Sequence, residues 1–499
     1  MDNADAYAAL LRSMRGARTS IWISQLAFDA DCAADPSRVA TERGASRRVL
    51  LADALVEATR RGCADVRILL NASPLLNTAT PLGRFFEAAH ANPKRIRVRG
   101  MNRFPALLHA KMVLIDGREA FLFGSPFVNG YFDDSRHRPV DESRPSRELG
   151  GRPLHDVSVR FTGPAVRQLA TIFSELWTGA SPSSDNELDT LPADHPMTTH
   201  DARSGALRVA RSAPRGALSG LPGGETGIVD EMLAGIDRAR SLIYIEAQYL
   251  SAPAVAAALT RALDRQPLLE VIVVLNQNPD VTAYRGWQNK LLSETGLLAH
   301  PRAGVFALWS THRPEEGSGP TLINQLFVHS KVMLIDDCWA TVGSANLDGV
   351  SLDSYGNDFS GRVLRRVFRH VRNFDVNVVL DSAGDADNLA DSVSELRARL
   401  WSEHLGARRE RLATPPRGGW LRLWRSCAAR NVAALGARPR HDLTASLSGL
   451  VLPYSTHPTP AGQLADLGIR VDRRRLQLRF DPGWLEVYCS PKWVRNMFL

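Results

Sequence analysis

The amino-acid sequence predicts an α/β fold in which helices cover both faces of a sheet, and it predicts that this fold occurs twice along the chain. Short β-branched runs alternate with segments whose apolar residues recur at helical spacing, such as 51–61 and 228–240. Such alternation is typical of layered α/β domains. The chain has 499 residues, 44% hydrophobic and 23% charged, which lies in the globular range and suffices for two or three domains.

Four segments recur in the same order in the two halves of the chain. The matching pairs are 17–24 with 239–246, 66–71 with 271–276, 109–116 with 329–336, and 155–159 with 374–378. A common order indicates an internal duplication. We therefore predict a first domain over 1–180, a linker rich in Ser, Pro, Asp and Gly over 181–227, a second domain over 228–406 and a basic extension over 407–499.

The positive charge of the chain lies at its C-terminal end. Residues 407–499 hold 16 Lys and Arg against 6 Asp and Glu, a net charge of +10, whereas the preceding residues together carry −2. Such an extension is either a solvated surface or a surface that attracts anionic lipid or nucleic acid.

One helix is predicted within this extension, over residues 418–435. Trp420 and Trp424 would share one of its faces, and Arg422 and Arg425 would point towards the other. A helix of this kind either lies on an anionic membrane or docks on the protein through its tryptophans. Both alternatives follow from the sequence.

Other features exclude several classes of protein. The longest apolar runs fall far short of the ~20 residues that a membrane-spanning helix needs, and the N-terminus lacks the regions of a cleavable secretory signal. The five cysteines are scattered and odd in number, which argues against both a disulfide framework and a zinc site. We therefore expect a cytoplasmic or peripheral membrane protein, or one exported without a cleavable signal.

The third pair of repeated segments has the pattern H-x-K-x4-D in both halves. It supplies the catalytic candidates His109, Lys111, Asp116, His329, Lys331 and Asp336. Residues two apart on a strand share a face, so each half presents an imidazole beside an ammonium. These groups suit a phosphate, which needs a positive charge on its oxygens and a nitrogen that attacks or donates a proton. Each aspartate ends its strand on a turn, where a carboxylate can bond backbone N–H groups.

Lysine usage supports this interpretation. Only five of the 61 basic residues are lysines, and two of the five, Lys111 and Lys331, occupy equivalent positions in the repeat. An ammonium is a compact point charge, whereas a guanidinium is a planar fork, so the two are not interchangeable around a phosphate. The duplicated lysines therefore indicate a shared chemical role.

On this duplicated pattern the chain resembles the phospholipase D superfamily over about residues 17–406. Further segments are similar to that family: 155–166, 243–250, 343–349 and 373–381. The resemblance implies two α/β/α sandwich domains packed face to face, with one active site between them that uses no metal or other cofactor. It implies that one histidine attacks phosphorus to form a phosphohistidine while the other protonates the leaving alcohol. In related phospholipases the first-half histidine is the nucleophile, so we assign that role to His109 and the general acid to His329.

The resemblance also assigns substrate contacts around the two histidines. The two lysines would hold the phosphoryl oxygens, and the further contacts would be Asn346, Ser344, Ser125 and Gln248. The first half departs from the pattern because it reads GSPF over 124–127 where the second reads GSAN over 343–346. Asn129 follows two residues late, so the first half is expected to make fewer phosphate contacts.

Two carboxylates are expected to orient the histidines. Asp156 and Asp375 precede equivalent strands, and each could accept the second ring N–H of a histidine and fix its tautomer. The segment that leads into the last of these strands is longer than is usual in the family. Asp353 and Asp358 are therefore alternatives to Asp375.

Together these features predict a bacterial phospholipid phosphodiesterase or phosphatidyltransferase. The alternative is a nucleic-acid phosphodiesterase of the same superfamily that uses the basic extension as its electrostatic footprint. The expected partner is a phospholipid at an anionic membrane surface rather than nucleic acid. The sequence is compatible with a monomer.

Overall fold

A computed structural model describes most of the chain. The described residues are 1–42, 45–73, 76–141, 152–180, 206–279, 282–313, 319–356, 359–368, 371–382, 390–436, 447, 449–472 and 475–478. Asp358 and residues 181–205 of the predicted linker lie outside them.

The first half alternates strands and helices, as its apolar periodicity predicts. Its elements are α1 Asn3–Gly16, β1 Ser20–Ser24, β2 Ala33–Glu42, β3 Ala45–Leu50, α2 Leu51–Arg60, β4 Asp65–Asn71, α3 Ala79–Ala88, β5 Ile96–Met101, β6 Leu107–Leu108, β7 Met112–Ile115, β8 Glu119–Leu122, β9 Leu154–His155, β10 Val159–Thr162 and α4 Pro164–Gly179. A short 3-10 helix covers Asn129–Tyr131.

The remainder of the chain follows the same alternation. Its elements are β11 Leu207–Ala213, β12 Glu225–Thr226, α5 Gly227–Arg238, β13 Leu242–Ala247, α6 Pro253–Arg265, β14 Glu270–Leu275, α7 Thr282–Glu294, β15 Ala303–His312, β16 Thr321–Gln325, β17 Phe327–Val328, β18 Val332–Ile335, β19 Trp339–Gly343, α8 Gly349–Leu352, α9 Phe359–Phe368, β20 Asn373–Asp381, α10 Ala390–Leu405, α11 Gly419–Gly436, β21 Val451–Pro453, α12 Pro460–Asp466 and β22 Leu476–Leu478. A second 3-10 helix covers Arg409–Leu412.

The first half builds a six-stranded sheet in the order β10-β8-β7-β1-β4-β5, in which β1, β4 and β5 are parallel. Both faces of β1 are buried, because its side chains alternate between two cores. Ile21 and Ile23 pack with α1 and α2. Trp22 points to the other face, where it stacks on Phe173 of α4.

The second half repeats this sheet. Within a twelve-stranded sheet, the run β20-β19-β18-β13-β14-β15 corresponds strand by strand to β10-β8-β7-β1-β4-β5. Ile243 and Ile245 again face helices on one side, and Tyr244 faces the same core as Trp22. The α/β fold is therefore confirmed, and the two halves share one continuous core.

Part of the segment predicted as a linker belongs to the second sheet. Leu207–Ala213 forms β11, which pairs with β20 over six residues and buries Ala210, Ser212 and Ala213. The linker prediction is wrong over this stretch. Its neighbouring prolines and glycines hide a single strand whose apolar residues are mostly small.

The described part of the basic extension is integrated into the body of the protein. β21 pairs with β15, and β22 pairs with β16. Trp424 of α11 is 0% exposed and packs against Tyr244, Phe306 and Trp401. The alternative in which the tryptophan face of this helix contacts a membrane is wrong, since that face fills the shared core. None of the helices in the described ranges combines the length and the apolar character that crossing a membrane requires.

Candidate active site

Two short parallel ladders join the halves directly before the two repeated histidines. β6 pairs with β20, and β17 pairs with β9. The backbone N–H of His109 donates to the carbonyl of Phe374 at 3.0 Å, and that of His329 donates to the carbonyl of His155 at 2.7 Å. In both ladders the residue after the acceptor is an aspartate. Each histidine therefore lies opposite a carboxylate of the other half.

The side chains complete these exchanged pairs. Nδ1 of His109 lies 2.6 Å from Oδ1 of Asp375, and Nδ1 of His329 lies 2.8 Å from Oδ2 of Asp156. All four side chains are buried. Asp353, the alternative within the described residues, instead follows the short helix α8 with a left-handed φ of 50°.

Each of the two carboxylates accepts a hydrogen bond from a serine of its own half. Ser344 Oγ donates to Oδ1 of Asp375 at 2.7 Å, and Ser125 Oγ donates to Oδ2 of Asp156. Asn3 also donates to the hydroxyl of Ser125 at 3.0 Å. The two serines, predicted as substrate contacts, thus bond to the carboxylates that orient the histidines.

Two asparagines hold the ladders in place, and the sequence analysis assigned them no role. Asn71, at the end of β4, accepts from the N–H of Leu108 at 3.0 Å and donates to its carbonyl at 2.8 Å. Asn276, at the end of β14, makes the same pair of bonds with Val328. The side-chain amide fixes the residue before each histidine. Its recurrence at the end of the second repeated segment was the available signal.

The two lysines lie beside the histidines in the same buried site. Lys111 Nζ donates to the carbonyl of His109 at 3.0 Å, and Lys331 Nζ donates to the carbonyl of His329. Burial, and next the like charge of Lys331, lower the pKa of Lys111 to about 7. The two buried ammonium groups therefore disfavour each other's charge, and a bound anion would stabilise both.

Both imidazoles are neutral at neutral pH. Burial, followed by the charge of Lys111, lowers the pKa of His109 to about 4. Burial, followed by the charge of Lys331, lowers the pKa of His329 to about 3. Neutral imidazoles can act as nucleophiles or bases.

The carboxylates decide which ring nitrogen carries the proton. Burial acts to raise the pKa of Asp156 and Asp375, but the paired histidine and the nearby lysine outweigh it and hold the pKa of both below the usual range. Ionised carboxylates only accept, so Nδ1 of each histidine is the donor. The lone pair is therefore on Nε2, and Nε2 of His329 is buried without a hydrogen-bond partner among the described residues.

Asp116 and Asp336 lie at the other end of the repeated strands. Oδ1 of Asp116 accepts from the backbone of Thr19 at 2.7 Å, and Oδ1 of Asp336 accepts from that of Ser241 at 2.8 Å. Each also accepts from neighbouring N–H groups before β1 or β13. They fix the start of the adjacent strand, as the turn argument predicts, and their role in catalysis stays a prediction.

Of the remaining polar residues, Gln248 lies beside a lysine of the site, whereas the amide groups of Asn346 and Asn129 bond elsewhere. Gln248 Oε1 lies 3.5 Å from Lys331 Nζ, and Asn346 donates to the hydroxyl of Tyr249 at 3.1 Å. Oδ1 of Asn346 is buried with no partner in the described part of the chain. Asn129 bonds instead to the backbone of 31–33, so it takes no part in the site.

Comparison with known proteins places this arrangement in a family. A family model described as a cardiolipin synthase, phospholipase D-like domain matches residues 232–401. The chain is 26% identical over 317 residues to phospholipase D zeta 1 of Arabidopsis thaliana, an alignment that covers 56% of this chain and 27% of that protein. It is 24% identical over 240 residues to cardiolipin synthase 1 of Bacillus cereus, covering 48% of this chain and 40% of that protein.

The fold agrees with these relatives. Phosphatidylserine synthase of Haemophilus influenzae Rd KW20 superposes with a TM-score of 0.50 at 12% identity, over 79% of this chain and 84% of that one. The chain spans less than half the length of the two curated relatives named above. Residues 232–401 therefore form a phospholipase D-like domain, and the chain is similar to phospholipases D and to a cardiolipin synthase.

Proposed function

We propose that the protein cleaves phospholipids at the phosphodiester, releasing phosphatidic acid or transferring the phosphatidyl group to an alcohol. The exchanged pairs carry the proposal: two buried histidines, each of which donates its Nδ1 proton in a hydrogen bond to a carboxylate, share one site with two lysines. Nε2 of His109 belongs to the first half and Nε2 of His329 to the second, so a site that uses both atoms lies between the halves. Phospholipase and cardiolipin synthase relatives favour a lipid phosphodiester as the substrate.

The reaction has two displacements at phosphorus. Nε2 of His109 attacks, an N–P bond forms, and the bond from phosphorus to the alcohol oxygen breaks as His329 delivers its proton to that oxygen. Water or another alcohol then attacks phosphorus, gives its proton to His329, and the N–P bond breaks. Lys111 and Lys331 hold the phosphoryl oxygens as charge develops on them.

Binding of substrate changes the pKa of His329. A bound phosphodiester brings a negative charge beside both ammonium groups and offsets the field that disfavours protonation of the ring. The pKa of His329 therefore rises when substrate binds. Protonation of the acid and occupation of the site are coupled.

The position of the basic surface bears on the nuclease alternative. In the described part of the extension, the exposed arginines at 408, 409, 411, 417 and 422 lie close in sequence to the start of α11, whose backbone N–H groups donate to Glu270 at the start of β14. Gln248 and Asn276 lie at the opposite ends of β13 and β14, about 20 Å away at ~3.3 Å per residue. The start of α11 therefore lies away from the active site. This position argues against these arginines as the surface that binds a nucleic acid during its cleavage.

Trapping by an alcohol tests the proposal. Vesicles of mixed phospholipids incubated with the protein and a few per cent ethanol should yield phosphatidylethanol beside phosphatidic acid, because a phosphohistidine can be intercepted by a small alcohol. The two products are separated by mass spectrometry, with His329→Ala as the background control. Cleavage of DNA without any lipid product would select the nuclease alternative instead.

Anion binding should depend on pH through Lys111. Sulfate keeps its charge near neutrality, so its Kd should rise about tenfold per pH unit above about pH 7, where the free site loses the ammonium proton. Calorimetry across this range measures the effect. Lys111→Met should bind sulfate more weakly near pH 6 and should lack the rise in Kd above about pH 7. A flat profile in the unmodified protein would contradict the prediction.

A further inference from the structure

Three histidines outside the catalytic pair converge on one carboxylate oxygen. From Oε1 of Glu403, Nε2 of His137 lies at 3.0 Å, Nδ1 of His155 at 2.9 Å and Nδ1 of His404 at 3.8 Å. The three rings are buried, whereas the side chain of Glu403 is 19% exposed. The cluster therefore has a path from solvent.

The second nitrogen of each ring is held by another carboxylate. Nδ1 of His137 lies 3.2 Å from Asp133. Nε2 of His155 and Nε2 of His404 lie 2.8 and 2.9 Å from the two oxygens of Glu246. This is the arrangement that surrounds histidines bound to metals, in which a carboxylate fixes the ring and makes the free nitrogen a better donor.

The donor atoms also have the spacing of a metal site. A tetrahedral zinc ion with ligands at ~2.0–2.1 Å separates its donors by about 3.3–3.4 Å. One donor atom each of His137, His155 and Glu403 lie within 4.8 Å of one another, and His404 does not join this group. Nδ1 of His155 is buried and makes no hydrogen bond of acceptable geometry within the described residues, although it touches Glu403. We infer that His137, His155 and Glu403 bind one divalent ion of the zinc class.

The charge of the cluster favours a cation. Asp133, Glu246 and Glu403 bring three carboxylates to a mostly buried place, and buried charges are normally paired or bound to metals. Without an ion, protons must supply the positive charge. Protons and a metal ion compete for the same nitrogens.

The ion would fasten parts of the chain that are far apart in sequence. His137 and His155 come from the first half, and Glu403 comes from the last turn of α10. His155 immediately precedes Asp156, the carboxylate that orients His329. The inferred ion is a structural tie behind the catalytic pair, and it takes no part in the displacement at phosphorus.

Cobalt is the probe for this site. The full chain, stripped by a chelator and dialysed, is titrated with Co²⁺ and followed by its visible d–d absorption, which is intense only for tetrahedral ions. We expect saturation at one equivalent, loss of the absorption when Zn²⁺ is added, and a rise in Tm of several degrees with Zn²⁺. No tetrahedral absorption would overturn the inference and leave a proton-filled cluster.

Variants separate this site from surface binding. His137→Gln and Glu403→Gln should abolish the tetrahedral absorption, whereas His90→Asn, at an exposed histidine, should keep it. If either glutamine variant fails to fold, Asp133→Asn leaves all three donors in place and should weaken Co²⁺ binding about 10–100-fold. Equal affinity in the unmodified protein and in Asp133→Asn or the folded glutamine variants would show adventitious binding and overturn the inference.

Discussion

Alanine at either His109 or His329 is expected to lower turnover of a phospholipid by about 10³-fold or more, and the double variant is expected to be little worse than either single one. One nitrogen forms the bond to phosphorus and the other moves the proton, so the loss of either stops the same reaction. Groups that act as a unit are non-additive. Release of the head group from vesicles measures all three rates, and substantial turnover in either variant would exclude a shared site.

A second substrate distinguishes the two histidines. A phosphodiester whose leaving group is p-nitrophenolate departs without a proton, so the residue that acts as general acid becomes dispensable for the first displacement. We expect His329→Ala to release a burst of nitrophenolate and His109→Ala to release none. The opposite result would exchange the two roles.

Asparagine at Asp375 or Asp156 is expected to lower turnover by about 10²–10⁴-fold, although it keeps the shape of the side chain. At Asp375 an amide can donate to Nδ1 and so favours the tautomer with its proton on Nε2, which removes the lone pair with which His109 attacks phosphorus. At Asp156 a neutral amide cannot stabilise the imidazolium of His329 that protonates the leaving alcohol. The rates are measured on the same vesicles, with near-normal Tm as evidence of folding.

Asp353→Asn is the matched control for this loss. Asp353 directly follows helix α8 and has a left-handed backbone conformation, which asparagine also adopts. Because Asp375 rather than Asp353 pairs with His109, the variant should keep normal turnover. If Asp353→Asn were as damaging as Asp375→Asn, the assignment of the orienting carboxylate would fail.

Much of the site could be predicted from the sequence because duplication repeats its signal. The histidine and lysine of each half, and Asp156 and Asp375, follow from matched segments. The exchange between halves could not be predicted, because β6, β9 and β17 are two residues long and have no periodicity to read. Their register depends on packing between the halves.

The extension shows a different limit. An amphipathic helix indicates that an apolar face is covered, but it does not indicate what covers it. Trp424 lies against Tyr244 and Trp401, which belong to the second half and precede it by 180 and 23 residues. Likewise, cysteine spacing argues against a zinc site only for cysteines. His137 and Glu403 are too far apart in the chain for any spacing rule to join them.

The exchange of carboxylates has a consequence for how such a protein can arise. One half alone holds an imidazole without its carboxylate and a carboxylate without its imidazole. Two identical copies related by a two-fold axis would satisfy both at once, because each bond is the symmetry mate of the other. Joining the copies in one chain makes their association intramolecular and independent of concentration. It also allows the two copies to differ in sequence. Phe127 and Asn346, which hold equivalent positions in the two halves, are an example.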